Sequence, residues 1–141
     1  MNSSRKLPEL KPLFIERMKK ILGKDSDSYF EILKKEPVRS IRCNKIKISP
    51  NDLKKRLSKK GWKIVQPWKH YPEVMVVEHE LEPGELGRAL EHLLGYYYIQ
   101  ELASMLPIIA LGIEEGETFL DLCAAPGSKT TQAASEMNNS G

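Results

Sequence analysis

Residues 117–132 read ETFLDLCAAPGSKTTQ, and the fold class turns on this stretch. Thr118 to Leu122 is a short apolar run in which Phe119, Leu120 and Leu122 offer apolar side chains to both faces. A strand apolar on both faces belongs inside a parallel sheet covered by helices. The small residues Ala124, Ala125 and Gly127 follow, and a helix is expected from about Ser128. Strand, tight loop and helix make the opening βα unit of a doubly wound sheet, whose ligands sit at the carboxyl ends of the strands. Small side chains let the backbone approach a ligand, and Pro126 stiffens the turn. Helix-start amides and the Lys129 ammonium suit a carboxylate or a phosphate.

Three ligands compete for such a loop. A nucleoside triphosphate wants G-x-x-x-x-G-K-[ST], but the position five before Gly127 is Leu122, so "GSKT" matches only half of that pattern. A dinucleotide wants G-x-G-x-x-G, which is absent. S-adenosylmethionine needs one carboxylate held near a helix start and no room for a triphosphate. The loop suits it best, with a purely structural strand-to-helix corner as the alternative.

Upstream, the charge is divided. The chain has 141 residues and a net charge of +3, yet residues 1–70 hold 20 of the 22 Lys/Arg and 7 of the 19 Asp/Glu. Residues 71–141 hold the remaining 2 basic and 12 acidic residues. A local excess of +13 repels itself and points to a polyanionic partner. Cys43 and Cys123 stand 80 residues apart with no metal-ligand spacing, which suits a reducing cytoplasm and excludes a disulfide framework or zinc module. No apolar run approaches the ~20 residues that span a bilayer, and the N-terminus lacks a signal-peptide core.

Periodicity predicts a basic α+β module over residues 1–80, in the order α-α-β-α-β-β. Leu13, Phe14, Met18, Ile21 and Leu22 mark the first helix, stopped by Gly23. Asp25 or Asp27 caps the second, which Pro37 closes. Residues 38–48 form a strand, and 50–60 a helix capped by Ser49 with Asp52 completing the capping box. "WKIVQ" and "EVMVVE" supply two more strands. Residues 81–141 form the second piece, with turns at Gly84, Gly87 and Gly95, then a helix over 100–111 that Pro107 kinks or divides.

"FLDLCAAPGSKTTQ" resembles the cofactor loop of the Sun-type (Fmu/RsmF-like) RNA cytosine-5 methyltransferases. "GYYYIQELASMLP", residues 95–107, is similar to the segment that precedes this loop in the family. "PVRSIRCNKIKI", residues 37–48, resembles the arginine- and asparagine-bearing strand of its RNA-contacting module. The resemblance implies that Cys123, Ala124, Ala125, Pro126, Gly127, Ser128 and Lys129 wrap S-adenosylmethionine. It also implies a tRNA or rRNA substrate, contacted first by Arg39, Arg42, Asn44, Lys45 and Lys47, and 5-methylcytosine as product. The fold expected is α/β: an α+β RNA-binding module followed by the start of a Rossmann-like methyltransferase domain.

The family's chemistry uses a thiolate that adds to carbon 6 of cytosine, on Pro-Cys and Thr-Cys motifs beyond the loop. Neither dipeptide occurs here, so no catalytic residue is assigned. Cys123 is expected to pack beside the ligand and Cys43 in the core. From Thr118 to Gly141 there are 24 residues, one strand and one helix, too few to cover a buried strand's edges. The chain therefore reads as the N-terminal half of an enzyme: truncated, broken, or completed by a separate C-terminal polypeptide. The rival is a stand-alone RNA-binding module with a vestigial loop. The pairs Lys19/Lys20, Lys34/Lys35 and Lys59/Lys60, and the triplet Lys54/Lys55/Arg56, each have helix-dipole stabilisation as a sufficient local reason. Trp62 is expected in the core, and Trp68 is the better base-stacking candidate.

Overall fold

A computed structural model describes residues 10–35 and 38–141; Pro37, expected to close the second helix, lies outside the described residues. The chain forms two compact units, residues 1–37 and 38–141. In the first, α1 (Pro12–Leu22) ends at Gly23 with φ 55°, and α2 (Ser26–Leu33) follows a 3₁₀ turn. The two helices line an apolar groove of about 600 Å³ that includes Ile15, Phe30 and Leu33.

The second unit is built on four antiparallel strands in the order β2-β3-β1-β4. They are β1 (Ser40–Cys43), β2 (Ile64–Val65), β3 (Val74–Val77) and β4 (Tyr97–Ile99). Ile41 sits opposite Met75 on one side and Ile99 on the other. Between β1 and β2 runs α3 (Pro50–Lys59), whose Ser49 side chain accepts the Asp52 amide and so satisfies one of the helix's orphan donors. Leu53 and Leu57, one turn apart, are fully buried. They pack with Ile41, Cys43, Trp62, Ile64, Met75, Val77 and Tyr97, and each large apolar side chain there contributes about 1.5–3 kcal/mol of burial. Cys43 and Trp62 are core residues, as expected.

Two short helices, α4 (Glu85–Arg88) and α5 (Leu90–Leu93), occupy the glycine-rich stretch, and α6 (Leu102–Leu111) contains Pro107 without ending at it. Next, α7 (Ser128–Glu136) packs on α6. Thr118–Leu122, expected as a strand, has no sheet partner among the described residues. Leu120 and Leu122 are 76% and 85% exposed. An extended apolar segment becomes a strand only when neighbouring backbone pairs with it, and the sheet present here ends at β4, which pairs with β1 and not with this segment. The compact second unit also crosses residue 80, because β4 pairs with β1.

Pairing across the chain halves neutralises part of the charge division. Glu91, 3% exposed, meets Lys60 and, at 3.8 Å, Arg56. Glu136 lies 2.7 Å from Lys45, and Glu78 lies 2.7 Å from Lys63. Burial alone would raise the Glu91 carboxyl, but the Lys60 hydrogen bond, a backbone amide and the charges of Lys60 and Arg56 hold it below the usual range. A carboxyl lowered on folding adds stability above its unfolded value of about 4.3 and loses it as pH falls through the folded value. Glu91→Gln is therefore expected to lower stability at neutral pH by about 1 kcal/mol, since both cations stay partly hydrated. Thermal melts from about pH 7 to pH 3 should show the gap between wild type and variant closing on the acid side.

Candidate functional site

The loop from Cys123 to Pro126 is exposed, and it enters α7 through Gly127. Gly127 has φ 102°, a conformation that side chains disfavour, and nothing lies closer than 3.7 Å to where its Cβ would be. Backbone geometry, not crowding, therefore requires glycine there. The helix start carries no side-chain cap, so its first-turn amides face the loop without a protein acceptor of that kind. Cys123, Ala124, Ala125 and Pro126 are small or stiff and exposed, and with Gly127 and Ser128 this stretch presents backbone amides that can donate to an anionic group. The ammonium of Lys129 is turned toward α6, where it donates to Ser104 Oγ at 2.8 Å.

Asp121, not singled out from the sequence, staples this loop. Its Oδ1 accepts the Cys123 amide at 2.9 Å and its Oδ2 accepts the Thr130 hydroxyl at 2.6 Å. The Thr130 bond, then the Cys123 amide, hold its carboxyl below the usual range. The signal was present in the spacing, because aspartate readily accepts the amide two residues on.

Beneath the loop lies a buried polar network centred on Arg42, which is 3% exposed. Its Nη1 donates to Gln100 Oε1 at 2.5 Å and to the Ser128 carbonyl at 2.8 Å. Its Nη2 donates to Thr131 Oγ1 at 2.9 Å, and the guanidinium lies 5.4 Å from the Tyr98 ring centroid. Burial pulls the guanidinium down to about 10, against the raising influence of Glu136, Tyr98 and Glu73, so it remains charged at neutral pH. Gln100 Nε2 donates to Gln132 Oε1 and to the Ser104 carbonyl, both at 3.1 Å, and Gln132 Nε2 donates to the Met105 carbonyl at 3.0 Å. Gln100 is thus a structural hub, and Glu101 stands at the start of α6 without a side-chain cap. Of the three tyrosines, Tyr97 is buried and donates to the Leu86 carbonyl at 2.6 Å.

The other residues first assigned to RNA have internal partners as well. Arg39 donates to the Leu81 carbonyl at 3.2 Å, and Asn44 to the Gly95 carbonyl at 3.0 Å. Lys45 pairs with Glu136, and Lys47 donates to the Leu94 carbonyl at 2.9 Å. A broader basic surface lies on α3. There Asn51, Lys54, Lys55, Ser58 and Lys59 line one shallow groove of about 570 Å³, on residues set apart from the buried Leu53 and Leu57. Lys54 donates to the neutral Gln66 at 3.1 Å, and Lys55 lies 3.8 Å from the exposed Asp52. Cys43 is fully buried, and burial pushes its thiol up to about 12, which removes it as a nucleophile at neutral pH. Cys123 is exposed.

The family of the N-terminal domain of 16S rRNA methyltransferase RsmF matches this chain over residues 10–102. Ribosomal RNA small subunit methyltransferase F of Serratia proteamaculans is 41% identical over 137 residues, covering 94% of this chain and 28% of that protein. The protein of that name from Psychromonas ingrahamii is 40% identical over 148 residues, covering 100% of this chain and 30% of its own length. The chain thus spans under a third of the length of these relatives. A methyltransferase homolog protein from Pyrococcus horikoshii superposes with a TM-score of 0.73 at 37% identity, over 94% of this chain and 43% of that one. NSun6 from Pyrococcus horikoshii, solved with SFG, also gives 0.73, over 90% of this chain and 56% of that one; at 21% identity that likeness concerns the fold. With the domain match covering most of its length and the relatives agreeing nearly end to end, the chain belongs to the RsmF methyltransferase family, of which it carries the N-terminal domain.

Proposed function

We propose that this chain is the N-terminal part of an enzyme that transfers a methyl group from S-adenosylmethionine to carbon 5 of a cytosine in rRNA or tRNA. An RNA substrate of that kind places the enzyme in the cytoplasm. The carrying observation is the exposed, glycine-entered loop over the uncapped start of α7, anchored to the sheet of the basic module through Arg42. Cys123 to Ser128 would hold the amino-acid end of the methyl donor, with Lys129 beside them; the donor's sulfonium supplies an electrophilic methyl group. The Asp121 staple ties the start of the loop at Cys123 to Thr130 in the first turn of α7. RNA would be met by phosphate contacts from the α3 face, with Lys45 and Lys47, exposed but internally partnered, contributing less, and such contacts carry little sequence information. Transfer itself needs a nucleophilic thiol; Cys43 is buried and Cys123 is assigned to the donor loop, so this chain is not expected to methylate RNA alone.

Titrating the 15N-labelled chain with S-adenosylhomocysteine, followed by NMR, tests the donor site even where affinity is weak. Amide shifts confined to residues 121–131 are expected. No shift at millimolar ligand, with RNA binding retained, would favour a stand-alone RNA-binding module whose loop is vestigial.

A further inference from the structure

We propose that Arg42 is a positioning residue for the loop and helix at 123–131: its planar fork, reaching 86 and 89 residues along the chain, sets the first turn of α7 against the sheet. The inference rests on the donor-site reading for its functional meaning and on geometry for the rest. Strand β1 offers Arg42 between the core residues Ile41 and Cys43, on the face that α7 meets. Two acceptors lie on that helix, the Ser128 carbonyl and the Thr131 hydroxyl, and Thr131 itself donates to the Gly127 carbonyl at 2.7 Å. Arg42 thereby fixes Gly127, Ser128 and Thr131 as one body. Gln100, also held by Ser40 Oγ donating to its carbonyl at 2.6 Å, shares Nη1 with the Ser128 carbonyl.

Electrostatics separates this arrangement from ordinary helix stabilisation. A cation near a helix N-terminus opposes the macrodipole, so the helix dipole gives no reason for a guanidinium there, and its hydrogen bonds to Gln100, Ser128 and Thr131 must hold it. An anion bound at the same end would gain from both the helix and the arginine. Lysine keeps the charge but lacks the planar fork that serves two acceptors on α7 and one on Gln100 together. The required feature is the fork, and Arg42 is buried too deeply to serve as an RNA-facing charge.

Hydrogen exchange on the full chain, comparing wild type with Arg42→Lys, Arg42→Met and Thr131→Val, tests the inference. Both Arg42 variants should speed exchange of the hydrogen-bonded amides of Cys123, Thr131 and the α7 residues 132–136 by about tenfold or more through local opening, with the β1 and β3 amides within about twofold of wild type. Thr131→Val, which removes one exposed acceptor, should act on the same amides with a smaller effect. Unchanged exchange at Cys123, Thr131 and 132–136, restoration by lysine, or acceleration spread evenly over the sheet would overturn it. A second arm measures S-adenosylhomocysteine affinity by NMR: about a tenfold loss in Arg42→Lys supports the inference, and equal affinity in both proteins overturns it. If wild type shows no ligand shifts, the donor-site reading fails, and the exchange pattern alone decides the role of Arg42.

Discussion

Alanine at Lys54, Lys55 and Lys59 together is expected to weaken RNA binding by about 30-fold at low salt and to flatten the plot of log affinity against log salt by about two units. Each lysine that leaves a phosphate stops releasing about 0.7 counterions on single-stranded RNA, and three such contacts sum to the predicted change of slope. The substitutions lie on the outer face of α3, away from Leu53 and Leu57, so the melting curve should move little. Lys47→Ala should change the slope less, because that ammonium already serves the Leu94 carbonyl. Filter binding of a single-stranded rRNA fragment from about 50 to 200 mM salt gives both quantities. A slope unchanged by the triple substitution would move the RNA contact off α3.

The charge division that motivates this prediction was fully legible in the sequence, but its meaning was only half legible. Glu73, Glu78, Glu91 and Glu136 from the acidic half pair with Lys45, Arg56, Lys60 and Lys63 of the basic half. Part of the division is therefore folding information, and the cations left over on α3 carry the RNA argument. Local signals performed well where the chain decides locally. The Ser49 cap, the α3 apolar face and the order of the first six elements all appear as expected. Signals failed where a partner comes from far away. Alternation marks which face of β1 Arg42 occupies, yet not that α7 covers that face, so a buried pin read as a surface charge. β4 carries β-favouring tyrosines after Gly95, but three residues become a strand only by pairing with β1. The converse holds at Thr118–Leu122, where an apolar run has no neighbour to pair with. The loop itself was readable because tight turns are specified by residue type on the spot.

Leu57→Ala is expected to lower the stability of the sheet unit by about 2–5 kcal/mol, the range for deleting a fully buried leucine side chain. The loss combines the missing transfer free energy with the cavity left where α3 meets the sheet, because Leu57 contributes to the same core as Ile41, Trp62 and Met75. For a domain holding about 5–15 kcal/mol in total, that is a large fraction. The urea midpoint should fall by about 1–3 M at a typical slope for a small protein. Leu57→Met keeps volume and should cost less than about 1.5 kcal/mol. The two faces of α3 then separate cleanly: the alanine at 57 should spare RNA affinity wherever the protein remains folded, while the lysine substitutions should spare the urea midpoint. If Leu57→Ala instead cost under about 0.5 kcal/mol, the range of surface substitutions, α3 would not be packed on this sheet. Neither the cap at Ser49 nor the groove along Lys54 and Lys59 would then describe the folded chain.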